Sequence, residues 1–240
     1  MRAVDDATGL PAADGLRVEC DGDWLGVAFA APRRCLSWAV HRPGLVQAGR
    51  VAWLQVRDAD LGPEVDPAAL LARRLQARGW GDAVGLLTAC DVAGHRRARV
   101  THAGVSADCV LTLGLGNGVR VGELPAAARA WRPGTINLVC QVSVPLALPA
   151  LLEALSIATA ARTAGVLALG WSDDPAGAPV SGTGTDCCVI ACPDTAPGAT
   201  YAGLHTAVGQ ALGAAVLQAT RAAGHAWLAR TLCPLTPSNR

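Results

Sequence analysis

Short apolar runs separated by turn residues fill the first half of the chain, and longer stretches of helical period fill the second. Residues 17–20 and 25–30 flank Asp21-Gly22-Asp23, a pattern that predicts a β-hairpin because glycine accepts the positive φ of a tight turn. Residues 35–40, 51–56, 84–89, 98–102 and 109–115 have the length and composition of further strands. Asp66-Pro67 predicts a helix start, with Asp66 as N-cap, Pro67 at the first helical position and Gly79 as the stop. Its Leu70, Leu71 and Leu75 form one apolar stripe, with Arg73, Arg74 and Arg78 off it.

Beyond Trp131 the polarity drops, and residues 133–240 hold only nine charged side chains, which marks this as the half destined for burial. Residues 136–144 and 186–192 are expected as strands, and 149–164 and 206–223 as helices. Gly209 and Gly213 lie on one face of the last helix and permit close approach of a neighbour, within the chain or in a second copy of it. No low-complexity linker or internal repeat divides the chain. The expectation is an α+β fold: a single domain, residues 17–232, with a mixed, largely antiparallel sheet packed against helices. Residues 1–16 and 233–240 read as tails.

Composition narrows the chemistry. All 20 basic residues are arginine, which excludes lysine Schiff bases, a P-loop lysine and a lysine general base. A net charge of +1 argues against a nucleic-acid partner. No stretch reads as a membrane span, and no apolar leader is recognisable near Met1, so a cytoplasmic protein is expected. Nine cysteines lack zinc-ligand spacing and are read mainly as buried thiols, with metal binding or a reactive nucleophile as lesser alternatives.

Four segments could carry chemistry. Ser181-Gly182-Thr183-Gly184-Thr185-Asp186 runs into the strand Cys187-Cys188-Val189-Ile190-Ala191. Its glycines let backbone approach a ligand, its hydroxyls donate and accept, and Asp186 could be a base or simply cap its own turn. In Tyr201-Ala202-Gly203-Leu204-His205-Thr206, His205 would meet a helix N-terminus, where the dipole favours neutral imidazole. The plainer alternative is Thr206 as an N-cap and His205 as a structural residue. Gly134-Thr135-Ile136-Asn137 and Gly114-Leu115-Gly116-Asn117 place amide side chains at strand ends, suited to carbonyl recognition or to satisfying a turn.

Together these segments resemble the adenosylcobinamide amidohydrolase family. The residues that carry the resemblance are Gly85-Leu86-Leu87-Thr88-Ala89, the run from Thr112-Leu113-Gly114 through Asn117 to Gly122-Glu123, Gly134-Thr135-Ile136-Asn137, Gly182-Thr183-Gly184-Thr185-Asp186-Cys187, and Tyr201-Ala202-Gly203-Leu204-His205-Thr206. The resemblance implies a corrinoid-salvage hydrolase that cleaves the aminopropanol amide of adenosylcobinamide with water, releasing adenosylcobyric acid. It implies a small-molecule corrinoid substrate and no redox cofactor. The chain departs from the family pattern at Leu36-Ser37-Trp38-Ala39-Val40-His41-Arg42-Pro43-Gly44, at Leu204 and at Arg162.

Amide hydrolysis needs a nucleophile, a proton donor for the leaving amine and stabilisation of the oxyanion. The expectation is that Asp186 and His205 form an acid/base pair that activates water or the hydroxyl of Thr185 or Thr183. Asn137 and the loop amides would hold the oxyanion, and Asn117, Thr135, Thr206, Gly182 and Gly184 would bind substrate. Alternatives are a divalent metal held by Asp186 and His205, a Cys187 nucleophile, and a corrinoid-binding scavenger without catalysis.

Overall fold

The computed structural model describes residues 15–57, 60–123, 134–174 and 177–232. The two expected tails lie outside these residues, save that Leu16, placed in the first tail, is buried and opens strand β1. Ten strands and three α-helices follow one another as β1(Leu16–Asp21), β2(Trp24–Ser37), β3(Gly44–Gln55), α1(Pro67–Ala77), β4(Val84–Thr88), β5(Arg96–His102), β6(Val105–Leu113), β7(Gly118–Val119), β8(Ile136–Val142), α2(Leu148–Leu167), β9(Gly182–Thr183), β10(Cys187–Pro193) and α3(Ala207–Leu232).

Eight strands make one mixed sheet in the order β4-β3-β2-β10-β8-β6-β5, with β1 also paired to β2. Only β3–β4 and β10–β8 run parallel. Each parallel pair is joined through a helix, α1 for the first and α2 for the second, as a parallel crossover requires. The fold is therefore α+β with a largely antiparallel sheet.

The strand pattern differs from expectation at one instructive place. Residues 25–30 and 35–40 are not two strands: β2 runs through the first and on to Ser37 in the second, with its register against β3 shifting between Ala28 and Arg33. Pro32 sits inside that irregularity, where its missing N–H costs no ladder bond. The bulge lets one edge of β2 pair with β1 before it and with β10 after it.

The bend folds the sheet over itself into two facing layers. Leu25, Val27, Val51 and Trp53 share an interior with Val110, Val139 and Val189. On the opposite face of β6, β8 and β10, Cys109, Leu138, Cys140 and Ile190 pack against α2 and α3. Outside β3, Ala52 and Leu54 meet Leu71 and Leu75 of α1. β8 is thus covered on both faces and buried at every position.

The helix punctuation is as expected. Asp66 accepts a bond from the Ala68 amide at 2.9 Å, and Gly79 holds φ +72° beyond the last turn. Gly213 faces Ile157 of α2, and Gly209 lies against the Ala202 and Gly203 carbonyls, so the glycine face of α3 is used within the chain. By length and composition α2 could cross a membrane, but here Ala150, Leu151, Ala154 and Ala158 are buried in the core.

Candidate active site

One end of the two-layered sheet gathers most of the singled-out motifs. Here the chain leaves β2, β3, β4 and β6 and enters β8 and β10. These turns enclose a cleft of about 260 Å³. Leu87, Thr88 and Ala89 come from the end of β4, Asn117 from the turn after β6, Gly134 and Thr135 from the approach to β8, and Thr185 from the approach to β10. Val40, Val56, Leu61 and Arg57 complete the wall. Four segments far apart in sequence thus converge on one mostly apolar cleft with a few polar groups, the usual make-up of a small-molecule site.

Backbone proximity builds this convergence. A Cβ on Gly134 would lie 2.7 Å from the Asn117 nitrogen and 2.9 Å from both the Gly116 nitrogen and the Gly114 oxygen, so only glycine lets the two turns touch. The Gly114 amide donates to the Thr135 carbonyl at 3.0 Å. The Thr135 hydroxyl donates to the Thr185 carbonyl at 2.9 Å, tying the turns before β8 and β10 together. Gly85 exchanges backbone bonds with His41, which carries Val40 to the cleft.

Asp186 is held just behind the wall. Oδ2 accepts from Arg162 Nη1 at 2.6 Å and from the Thr183 amide at 3.0 Å. Oδ1 accepts from the Ile136 amide at 2.9 Å and from the Thr183 hydroxyl. The two charged side chains are 10% and 6% exposed, so the ion pair is buried with its oxygens satisfied by four donors. The carboxylate that was expected to share acid/base work with His205 is thus held by four donors behind the wall and does not line the cleft. Gly182 is glycine for the same reason: a Cβ there would fall 2.6 Å from Asp186 Oδ2 and collide with Arg162. It supports the ion pair and does not line the cleft. Thr183 is likewise committed to Asp186, while Gly184 is exposed and a Cβ on it would only approach Asn117 Nδ2, at 3.9 Å.

The expected Asp186–His205 pair is not formed. Asp186 precedes β10, whereas the loop carrying His205 follows it. That loop is fastened near the start of α2, where Leu146 bridges Ala199 and the Ala202 amide donates to Glu153 at 2.7 Å. The seven residues of β10, at about 3.3 Å each, put roughly 20 Å between the two ends. His205 is exposed there, and no bond between it and the buried Asp186–Arg162 pair is formed. Thr206 is the α3 cap, accepting from the Gly209 amide at 3.0 Å, and is not among the residues that line the cleft. Among the described residues no three His, Cys, Asp or Glu side chains converge in a cluster able to hold a metal.

Asn137 also departs from its expected role. It is buried below the cleft and its Nδ2 donates to the Leu87 carbonyl at 2.7 Å, joining β8 to β4 across the interior. Asn137→Ala leaves that carbonyl unsatisfied and is expected to cost about 1–3 kcal/mol, measurable by urea denaturation. Cys187 points into the interior with Val189 and Ala191, and burial pushes its thiol up to about 12, which makes it a poor nucleophile.

Of the expected site residues, the fold brings Asn117, Thr135 and Thr185 to the cleft surface. Two polar lining residues were not singled out as site residues from the sequence, Arg57 and Thr88. Arg57 ends the apolar run 51–56, and a cation directly after a buried strand was the available signal. Thr88 lies within a recognised motif, and its hydroxyl accepts from the Cys90 amide at 3.0 Å.

The profile of the adenosylcobinamide amidohydrolase family matches residues 10–232. The chain is similar to a protein named adenosylcobinamide amidohydrolase from Halobacterium salinarum, at 37% identity over 158 residues. That match covers 62% of this chain and 63% of the relative. Among solved structures it resembles the PH0078 protein from Pyrococcus horikoshii OT3, with a TM-score of 0.44 and 10% identity over 83% of this chain and 76% of that one.

Proposed function

The chain belongs to the adenosylcobinamide amidohydrolase family, and on that premise we propose that it hydrolyses the aminopropanol amide of adenosylcobinamide, releasing adenosylcobyric acid and aminopropanol in corrinoid salvage. The observation that supports this reading is the meeting of four family motifs at one cleft. Its volume, about 260 Å³, lies below the range of about 300–1,000 Å³ that holds drug-sized ligands, and suits an amide-bearing arm.

In this reading the apolar wall of Val40, Val56, Leu61 and Leu87 takes the methylene chain, and the amide faces the polar side. The Asn117 carboxamide and the Arg57 guanidinium supply donors and positive charge where the tetrahedral oxyanion develops. The Thr185 hydroxyl, only loosely directed to the Gly134 carbonyl at 3.5 Å, turns to orient the attacking water. Water adds to the carbonyl carbon, one of its protons passes to the amide nitrogen, and the C–N bond breaks to give the carboxylic acid and the free amine. Asp186, Arg162 and Thr183 act as positioning residues that fix the loop bearing Thr185.

Incubation of the purified protein with adenosylcobinamide, followed by mass spectrometry, tests the reaction: both products are expected, and unchanged substrate would refute it. His205→Ala is expected to keep kcat within about twofold of wild type, because His205 lies at the far end of β10. A hundredfold loss in kcat would return the histidine to the catalytic machinery.

A further inference from the structure

We propose that the open groove between Trp38 and the outward face of α2 seats the corrin macrocycle while the amide arm of the same molecule enters the cleft. This rests on the amidohydrolase reading above. The groove has a volume of about 480 Å³ and is lined by Trp38, Leu152, Leu155, Ser156, Thr159 and Ala160. Trp38 is 47% exposed and Leu152 54%, so both present apolar surface to the groove.

Continuity with the cleft identifies the occupant. Val40 lines the cleft and Trp38 the groove, with buried Ala39 between them. The Trp38 indole donates to the Asp186 carbonyl at 2.7 Å, and the preceding residue, Thr185, is in the cleft wall. The cleft and the groove are therefore connected through residues 38–40 and 185–186. The cleft is too small for a macrocycle, so a substrate whose arm occupies it must lay its ring outside. Corrin has broad apolar faces and a rim of amide groups. Indole and leucine side chains match the faces, and the exposed Ser156 hydroxyl can meet a rim amide. Among the described residues no charged side chain lines the groove, and Glu153 on the same helix is turned to the Ala202 amide.

The test uses Leu152→Glu and Trp38→Ala, with steady-state kinetics on adenosylcobinamide and ultrafiltration binding read from the visible absorbance of the corrinoid. Leu152 faces solvent, so Leu152→Glu is expected to fold with an unchanged melting temperature, to raise both KM and Kd at least tenfold, and to leave kcat within twofold. Trp38→Ala is expected to raise KM and Kd similarly, with an added loss in kcat from the freed Asp186 carbonyl. Wild-type KM and Kd in Leu152→Glu would overturn the groove while hydrolysis stood. Binding without cleavage by the wild type, weakened in Leu152→Glu, would support the groove and refute the amidohydrolase. Absence of binding by the wild type would overturn both.

Discussion

Arg162→Met is expected to destabilise the protein by about 3–5 kcal/mol, the usual cost of leaving one member of a buried ion pair unpaired. The Asp186 side chain is 6% exposed and, among the described residues, Arg162 is the one charged side chain bonded to it, at 2.6 Å. Methionine would fill much of the arginine stem's volume, so the loss reports the stranded carboxylate and not a large cavity. For a domain of this size the shift is roughly 6–20 °C in melting temperature. The same carboxylate holds the Ile136 amide and Thr183, and through them the loop carrying Thr185, so activity is expected to fall along with stability. Calorimetry of Arg162→Met beside the double variant Arg162→Met/Asp186→Leu separates the two terms. Apolar replacement of both partners should recover much of the stability while activity stays low. A wild-type melting temperature in the single variant would show that the pair contributes nothing.

Asn117→Ala is expected to lower kcat by about 10²–10³, the usual cost of removing one donor to a developing oxyanion. Asn117 is half-buried in the cleft wall, on a turn held against Gly134, so truncating it removes a donor without opening the core. Thr185→Ala should lower kcat by about tenfold or more, through loss of orientation for the water. Single-turnover measurements on refolding-competent variants provide the check. A raised KM with unchanged kcat in Asn117→Ala would assign the carboxamide to ground-state binding instead.

Much of the local structure was legible because it depends on neighbours in sequence. Asp66, Pro67 and Gly79 punctuate α1 through bonds and φ angles that close within a few residues, and Asp21-Gly22-Asp23 joins β1 to β2 as its hairpin signature predicts. The β2 bend was not legible in the same way. Pro32 looks like a strand terminator until a bulge gives its missing N–H a harmless place, and only pairing with β1, β3 and β10 reveals that the strand continues.

The candidate site divides along the same line. Asn117, Thr135 and Thr185 stand beside glycines that license tight turns, a signal readable one residue at a time. Asp186 and His205 looked like partners because one short strand separates them in sequence. An extended strand holds its ends apart, so that proximity in sequence became distance in space, and the carboxylate found its charge partner in Arg162, 24 positions away on α2.

The absence of lysine determined from the sequence alone that no lysine amine could act as base or nucleophile, and the glycine-hydroxyl motifs determined which turns could approach a ligand. What only the tertiary structure decided is which polar groups meet. The two-layered sheet brings four turns to one end and carries the fifth to the other. It also buries the aspartate against an arginine, because an ionised group removed from water must find its compensating charge wherever the fold can supply it.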